Sequence, residues 1–97
     1  MPVIVELTGI TAPATFPRVP EALAALWRSM RVLPLSDLQH DWFGYYLTRP
    51  EAAAQVTRTL QRDGDLTLAF SLTDSRRQHL LRVRPVPLPH AAPAPPN

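Results

Sequence analysis

Proline placement sets the outer limit on what this chain can fold into. Of its twelve prolines, those at 85, 87, 89, 93, 95 and 96 crowd into the last thirteen of 97 residues. Proline has no amide hydrogen to give to a helix or a ladder. No regular element is expected through that stretch, so the folding domain reads as residues 1–84 and residues 85–97 as a flexible Pro/Ala-rich tail. A domain of this size buries only about 60–65% of the surface its unfolded chain exposes. So modest a core argues against elaborate catalytic machinery and for support from a partner chain.

Within that limit, hydrophobic periodicity assigns the elements. Val3 to Thr8 reads as a strand, with Val3, Val5 and Leu7 on one face. Gly9 to Arg18, with two prolines, reads as a loop. A first helix follows, with Pro20 near its start, Glu21 in the positive end of the dipole, and Leu23, Leu26, Trp27 and Met30 as one apolar stripe. Arg31 to Leu35 is expected as a short edge strand marked by Pro34, Ser36 to Asp41 as a polar turn, and Trp42 to Thr48 as a third, strongly β-prone strand. A second helix is expected after a Thr48-x-x-Glu51 capping box, with Ala53, Val56, Thr57 and Leu60 buried and Gly64 as its left-handed cap. Asp65 to Thr73 alternates cleanly, with Leu66, Leu68, Phe70 and Leu72 on one side. Gln78 to Arg84 returns with His79, Leu81 and Val83 on one side and Leu80, Arg82 and Arg84 on the other. Two split strand–helix–strand units assembled this way predict a ferredoxin-like βαββαβ sandwich of the α+β class, with an appended fifth C-terminal hairpin strand.

The expected third strand is anomalous. Two helices cover one face of a sheet, so its strands should be apolar on one side only. Yet Trp42 and Tyr46 would share one face while Phe43, Tyr45 and Leu47 share the other. With Gly44 inward to admit a closely packed helix, Phe43, Tyr45 and Leu47 stand on the open sheet face near Ile4. An exposed apolar patch of that kind marks an interaction site. The expected occupant is a second copy of the chain, giving a dimer, or another protein.

Two resemblances supply alternatives. The run from Asp41 to Thr48 resembles the RNA-recognition-motif signature, matching it at Phe43, Gly44 and Tyr45, whose aromatics in that family stack on bases. The resemblance implies single-stranded RNA binding, with Arg76, Arg77, Arg82 and Arg84 as phosphate contacts. Asp41, Trp42 and Thr48 depart from the signature, and the first strand carries no aromatic. The strand–loop–helix opening is similar to regulatory domains of the ACT type. That implies a small ligand held by the loop through Gly9, Thr11 and Thr15, although GITAPATFP replaces the expected Asp/Asn-x-Pro-Gly turn.

Charge and composition narrow the classes further. Ten Arg, no Lys and eight acids give a net charge of +2, low for a chain that neutralises many phosphates. The all-Arg usage beside twelve Ala fits a GC-rich, bacterial coding sequence. Without cysteine there is no disulfide, thiolate nucleophile or Cys-ligated metal. The opening MPVIVELTGI has neither the basic region nor the apolar length of a signal peptide or membrane span. A cytoplasmic protein with no membrane association is therefore expected.

Asp37, His40 and Asp41, with His79, offer metal-ligand side chains, and Ser36 with His40 and Asp41 offers the members of a hydrolytic set. Lying in an expected turn without oxyanion donors, Ser36, Asp37, His40 and Asp41 read as solvated, and His79 reads as a partly buried strand histidine. The expectation is a small non-enzymatic association or regulatory module without metal or cofactor.

Overall fold

The computed structural model describes residues 1–87. Its elements are β1 (Val3–Leu7), β2 (Ala14–Phe16), α1 (Val19–Met30), α2 (Asp37–Thr48), α3 (Ala52–Asp63), β3 (Leu66–Ser71) and β4 (Gln78–Pro85). The strands form one antiparallel sheet in the order β2-β1-β4-β3. Two hairpins, one before the helices and one after, meet at the β1–β4 pairing. The α+β class stands, but the chain does not follow the ferredoxin-like order. Its strands are joined without parallel crossovers, and three helices lie where two were expected.

Three local facts account for the difference. The loop after β1 folds back as a hairpin. Ile10 and Thr11 donate their amides to the Leu7 carbonyl, the Thr11 hydroxyl accepts from the Leu7 amide, and Gly9 takes a φ of 75° that favours glycine. Ala14 to Phe16 can then pair with β1 as the strand β2.

The expected strand at Arg31 to Leu35 is instead a turn and a short extended linker. Leu33 donates back to Met30, and the Pro34 carbonyl accepts the amide and hydroxyl of Thr73, tying the linker to the end of β3.

Most consequential, Ser36 to Thr48 is a capped helix, α2, in place of a turn and a strand. The Ser36 hydroxyl accepts from the Gln39 amide. Helical spacing puts Phe43 and Leu47 one turn apart on the buried side and leaves Tyr45 outside. The anomaly of aromatics on both faces arises from reading a 3.6-residue period as a period of two.

The capping box expected at Thr48 and Glu51 does not form. Thr48 belongs to α2, its hydroxyl donating to the Gly44 carbonyl, and Glu51 caps α3 without a side-chain bond. Arg49 lies at φ −67°, ψ 156°, extended as a residue before proline prefers, and this breaks α2 from α3 at Pro50. Gly64, at φ 88°, closes α3 as expected.

The helices pack on the sheet face that carries Val3, Val5, Leu7, Leu81, Val83, Leu66 and Phe70, and bury Leu23, Leu26, Met30, Phe43, Leu47, Val56 and Leu60 against it. The close approach expected at Gly44 is real, but it lies between helices. A Cβ there would stand 3.1–3.2 Å from the Trp27 ring of α1. β4 runs one residue past the expected domain end: Pro85 pairs with Val3, and the Val86 amide donates to the Pro2 carbonyl. The rest of the expected tail, residues 88–97, lies outside the described residues.

Candidate interaction site

The residues expected to form an aromatic sheet face do not come together. Phe43 and Leu47 are core residues of α2. Tyr45, 64% exposed, stands on the outer side of that helix. Ile4 lies on the far face of the sheet, between Thr15 of β2 and Arg84 of β4.

That far face does carry Arg82 and Arg84, but Glu6 is opposite Arg82 and the face has no aromatic among its described strand residues. Arg76 and Arg77 are exposed in the turn before β4, a strand's length of about 20 Å from Arg84 at 3.3 Å per residue. The segment that carries the RNA-recognition resemblance is helical, so its rings form no stacking platform on the sheet.

The loop residues are equally dispersed. The Thr11 hydroxyl is engaged by the Leu7 amide, Gly9 shapes the turn, and Thr15 points away on β2. The cavity beside them, of about 100 Å3, is well below ligand-site size.

Asp37, His40 and Asp41 lie on α2 rather than in a turn. The His40 ring meets Trp27 edge-on at 5.1 Å. His79 sits on the sheet, its Nδ1–H donating to the Thr8 carbonyl at 2.7 Å and its ring against Phe70. No group of three potential metal ligands occurs among the described residues.

The structure instead presents an apolar cleft of about 360 Å3 between α2 and β3, lined by Leu38, Gln39, Trp42, Phe43, Leu68 and Ala69. Leu38 is 81% exposed and Trp42 46% exposed, a large apolar area for so small a domain. Trp42 is held rather than loose: it stacks on Tyr46 with centroids 4.9 Å apart and meets Phe43 edge-on. The Arg49 guanidinium lies over the Tyr45 and Tyr46 rings at 5.1 and 5.8 Å. Burial raises the Tyr46 phenol above its ordinary pKa, and the nearby Arg49 charge offsets part of that rise.

One wall of the cleft is the outer edge of β3, which pairs with no other strand among the described residues. The Gln39 side chain closes one end of this edge. Its amide nitrogen donates to the Ser71 carbonyl and its oxygen accepts the Ser71 amide, both at 2.9 Å, in place of a neighbouring strand. Since Ser71 points its backbone groups away from β4, the two-residue alternation of an antiparallel strand turns those of Thr67 and Ala69 the same way.

None of the six lining residues titrates near neutral pH. The cleft can bury apolar groups and pair with backbone, but it holds no acid, base or nucleophile. The clue to it in the sequence was Ser36-x-x-Gln39 ahead of Trp42, a helix-start pattern.

Comparison with family models, curated proteins and solved structures finds no match to this chain. Among the described residues no helix is long and apolar enough to cross a membrane.

Proposed function

We propose that this chain is a small non-enzymatic association module that binds an apolar polypeptide segment in the cleft between α2 and β3. The observation that carries the reading is the joining of two kinds of unsatisfied surface in one place. Leu38 and Trp42 are large, apolar and exposed, and beside them the β3 edge has backbone groups that no described residue pairs. Only a polypeptide answers both, through side chains in the cleft and main chain along the edge. The stacking of Trp42 on Tyr46 supports this role, because a pre-positioned indole loses little rotamer freedom when a partner covers it.

The test is solution mass by light scattering over a range of protein concentrations, at low and high salt, for the wild type, Leu38→Ser and Trp42→Ala. Association that is indifferent to salt and weakened at least tenfold by each substitution is the expected result, since the contact is apolar. Variants that associate as the wild type does would remove the cleft from consideration.

A further inference from the structure

We propose that the occupant of the cleft is a second copy of this chain, joined by antiparallel pairing of the two β3 edges about a two-fold axis beside Leu68. This rests on the reading of the cleft as an association site and adds the partner and the register.

The two edges of the sheet are not equivalent. β2 is three residues long and flanked by Pro13 and Pro17, as protected edges are. β3 is six residues, Leu66–Ser71, with no charge, proline or glycine. Such an edge accepts a strand unless something blocks it. Among the described residues Gln39 alone blocks it, at Ser71, which leaves Thr67 and Ala69.

These two residues fix the register. Centring an antiparallel pair on Leu68 sets Thr67 opposite the second copy's Ala69, and Ala69 opposite its Thr67. Both pairs then exchange their N–H and C=O groups. Every free group on the edge is satisfied and neither Gln39 is displaced. Centring on Ala69 would instead set Thr67 against a Ser71 that Gln39 already holds.

The side chains agree with the Leu68 centre. Leu66-Thr67-Leu68-Ala69-Phe70 reads apolar, small, Leu, small, apolar in either direction, so it complements itself. Leu68 faces Leu68 on the helix side, and Thr67 meets Ala69 on the other. Asp65 falls opposite Ser71, so no like charges face each other. Strand pairing over so short a length buries less than the roughly 800 Å2 per partner of a standard interface. Leu38 and Trp42, beside the same edge, supply further apolar area. The product is an eight-stranded sheet with both helical layers on one side.

The chain has no cysteine of its own, so single cysteines report the register. In a non-hydrogen-bonded antiparallel pair the Cα atoms lie about 4.5 Å apart, within disulfide range. Leu68→Cys should therefore form a covalent dimer on mild oxidation. Thr67→Cys should not, because its equivalents lie beyond about 7 Å. Ala69→Pro removes an edge amide that β4 does not use. It should convert the dimer to a folded monomer, with folding checked by circular dichroism.

A wild-type monomer at high micromolar concentration would overturn the proposal and leave the cleft to a different polypeptide. A dimer that survives Ala69→Pro but dissociates with Trp42→Ala would overturn the strand pairing while keeping the cleft. A dimer indifferent to both would overturn the proposal and the reading beneath it. Cross-linking of Thr67→Cys but not Leu68→Cys would overturn the register.

Discussion

Phe43 and Tyr45 are two residues apart, both aromatic, and a strand would put them side by side on one face. The helix separates them, and their truncations should therefore differ sharply. Phe43 is 3% exposed and meets Phe70 edge-on at 5.9 Å and Trp42 at 4.9 Å. Removing a buried Phe ring costs about 3–5 kcal/mol, of which the lost aromatic pairs account for roughly 0.5–1.5 kcal/mol each. Tyr45 loses a long contact from its hydroxyl to Arg49 at 3.4 Å and the guanidinium over its ring. At an exposed site these amount to about 0.5–1 kcal/mol. Phe43→Ala should thus fall below Tyr45→Ala by about 3 kcal/mol. Domains of this size have urea slopes near 1–2 kcal/mol/M, so the midpoints should separate by roughly 1.5–3 M. Urea titration followed by circular dichroism measures this directly, and Phe43→Ala could be unfolded before urea is added. Midpoints within about 0.5 M of each other would refute the helical placement of this segment and return both rings to a common exposed face.

Three further perturbations probe other parts of the fold. Gly64→Ala meets no atom within 4 Å, but its φ of 88° penalises a Cβ, so thermal unfolding should show a loss of about 1 kcal/mol. No loss would mean that α3 ends differently. Gln39→Ala deletes both bonds to the Ser71 backbone, costing about 1 kcal/mol because the freed groups can reach water. It also lengthens the open β3 edge, so light scattering should show faster aggregation than in the wild type; unchanged aggregation would deny Gln39 an edge-blocking role. The third concerns alkaline pH. Because burial raises the Tyr46 phenol, the folded state holds that proton more tightly than the unfolded state. The associated stability is whole below about pH 10 and is lost as pH rises through the raised folded value. Between about pH 9 and pH 11 the wild type should lose more unfolding free energy than Tyr46→Phe, and equal losses would count against burial of the phenol.

Much of this architecture is legible residue by residue. Alternation at Val3, Val5 and Leu7, at Leu66, Leu68 and Phe70, and at His79, Leu81 and Val83 marks three of the four strands and their inward faces. The stripe through Leu23, Leu26 and Met30 marks α1, and Val56, Leu60 and the Gly64 cap mark α3. In each case the pattern is long enough for one period to exclude the other. Trp42 to Thr48 is not. Over seven mostly aromatic residues, periods of 2 and 3.6 both find apolar partners, and aromatic content tilts the reading toward a strand. The Ser36-x-x-Gln39 pattern that starts the helix begins six residues ahead of Trp42, outside the aromatic run, so the run by itself carries no sign of the cap.

What the sequence determined by itself, then, is local: which segments alternate, and where α3 stops at Gly64. Those properties follow from backbone sterics and side-chain spacing within a few residues. Tertiary structure decided the rest. Ala14 to Phe16 is a strand only because β1 lies beside it. Ser36 to Thr48 is a helix because that geometry brings Phe43 against Phe70 and Leu47 into the core while leaving Tyr45, which a strand would set on the same face as both, outside. The cleft exists because Gln39 and Ser71, 32 residues apart, meet across the edge of β3. No local pattern encodes that meeting; it arises when the helical layer settles on the sheet and α2 reaches its last strand.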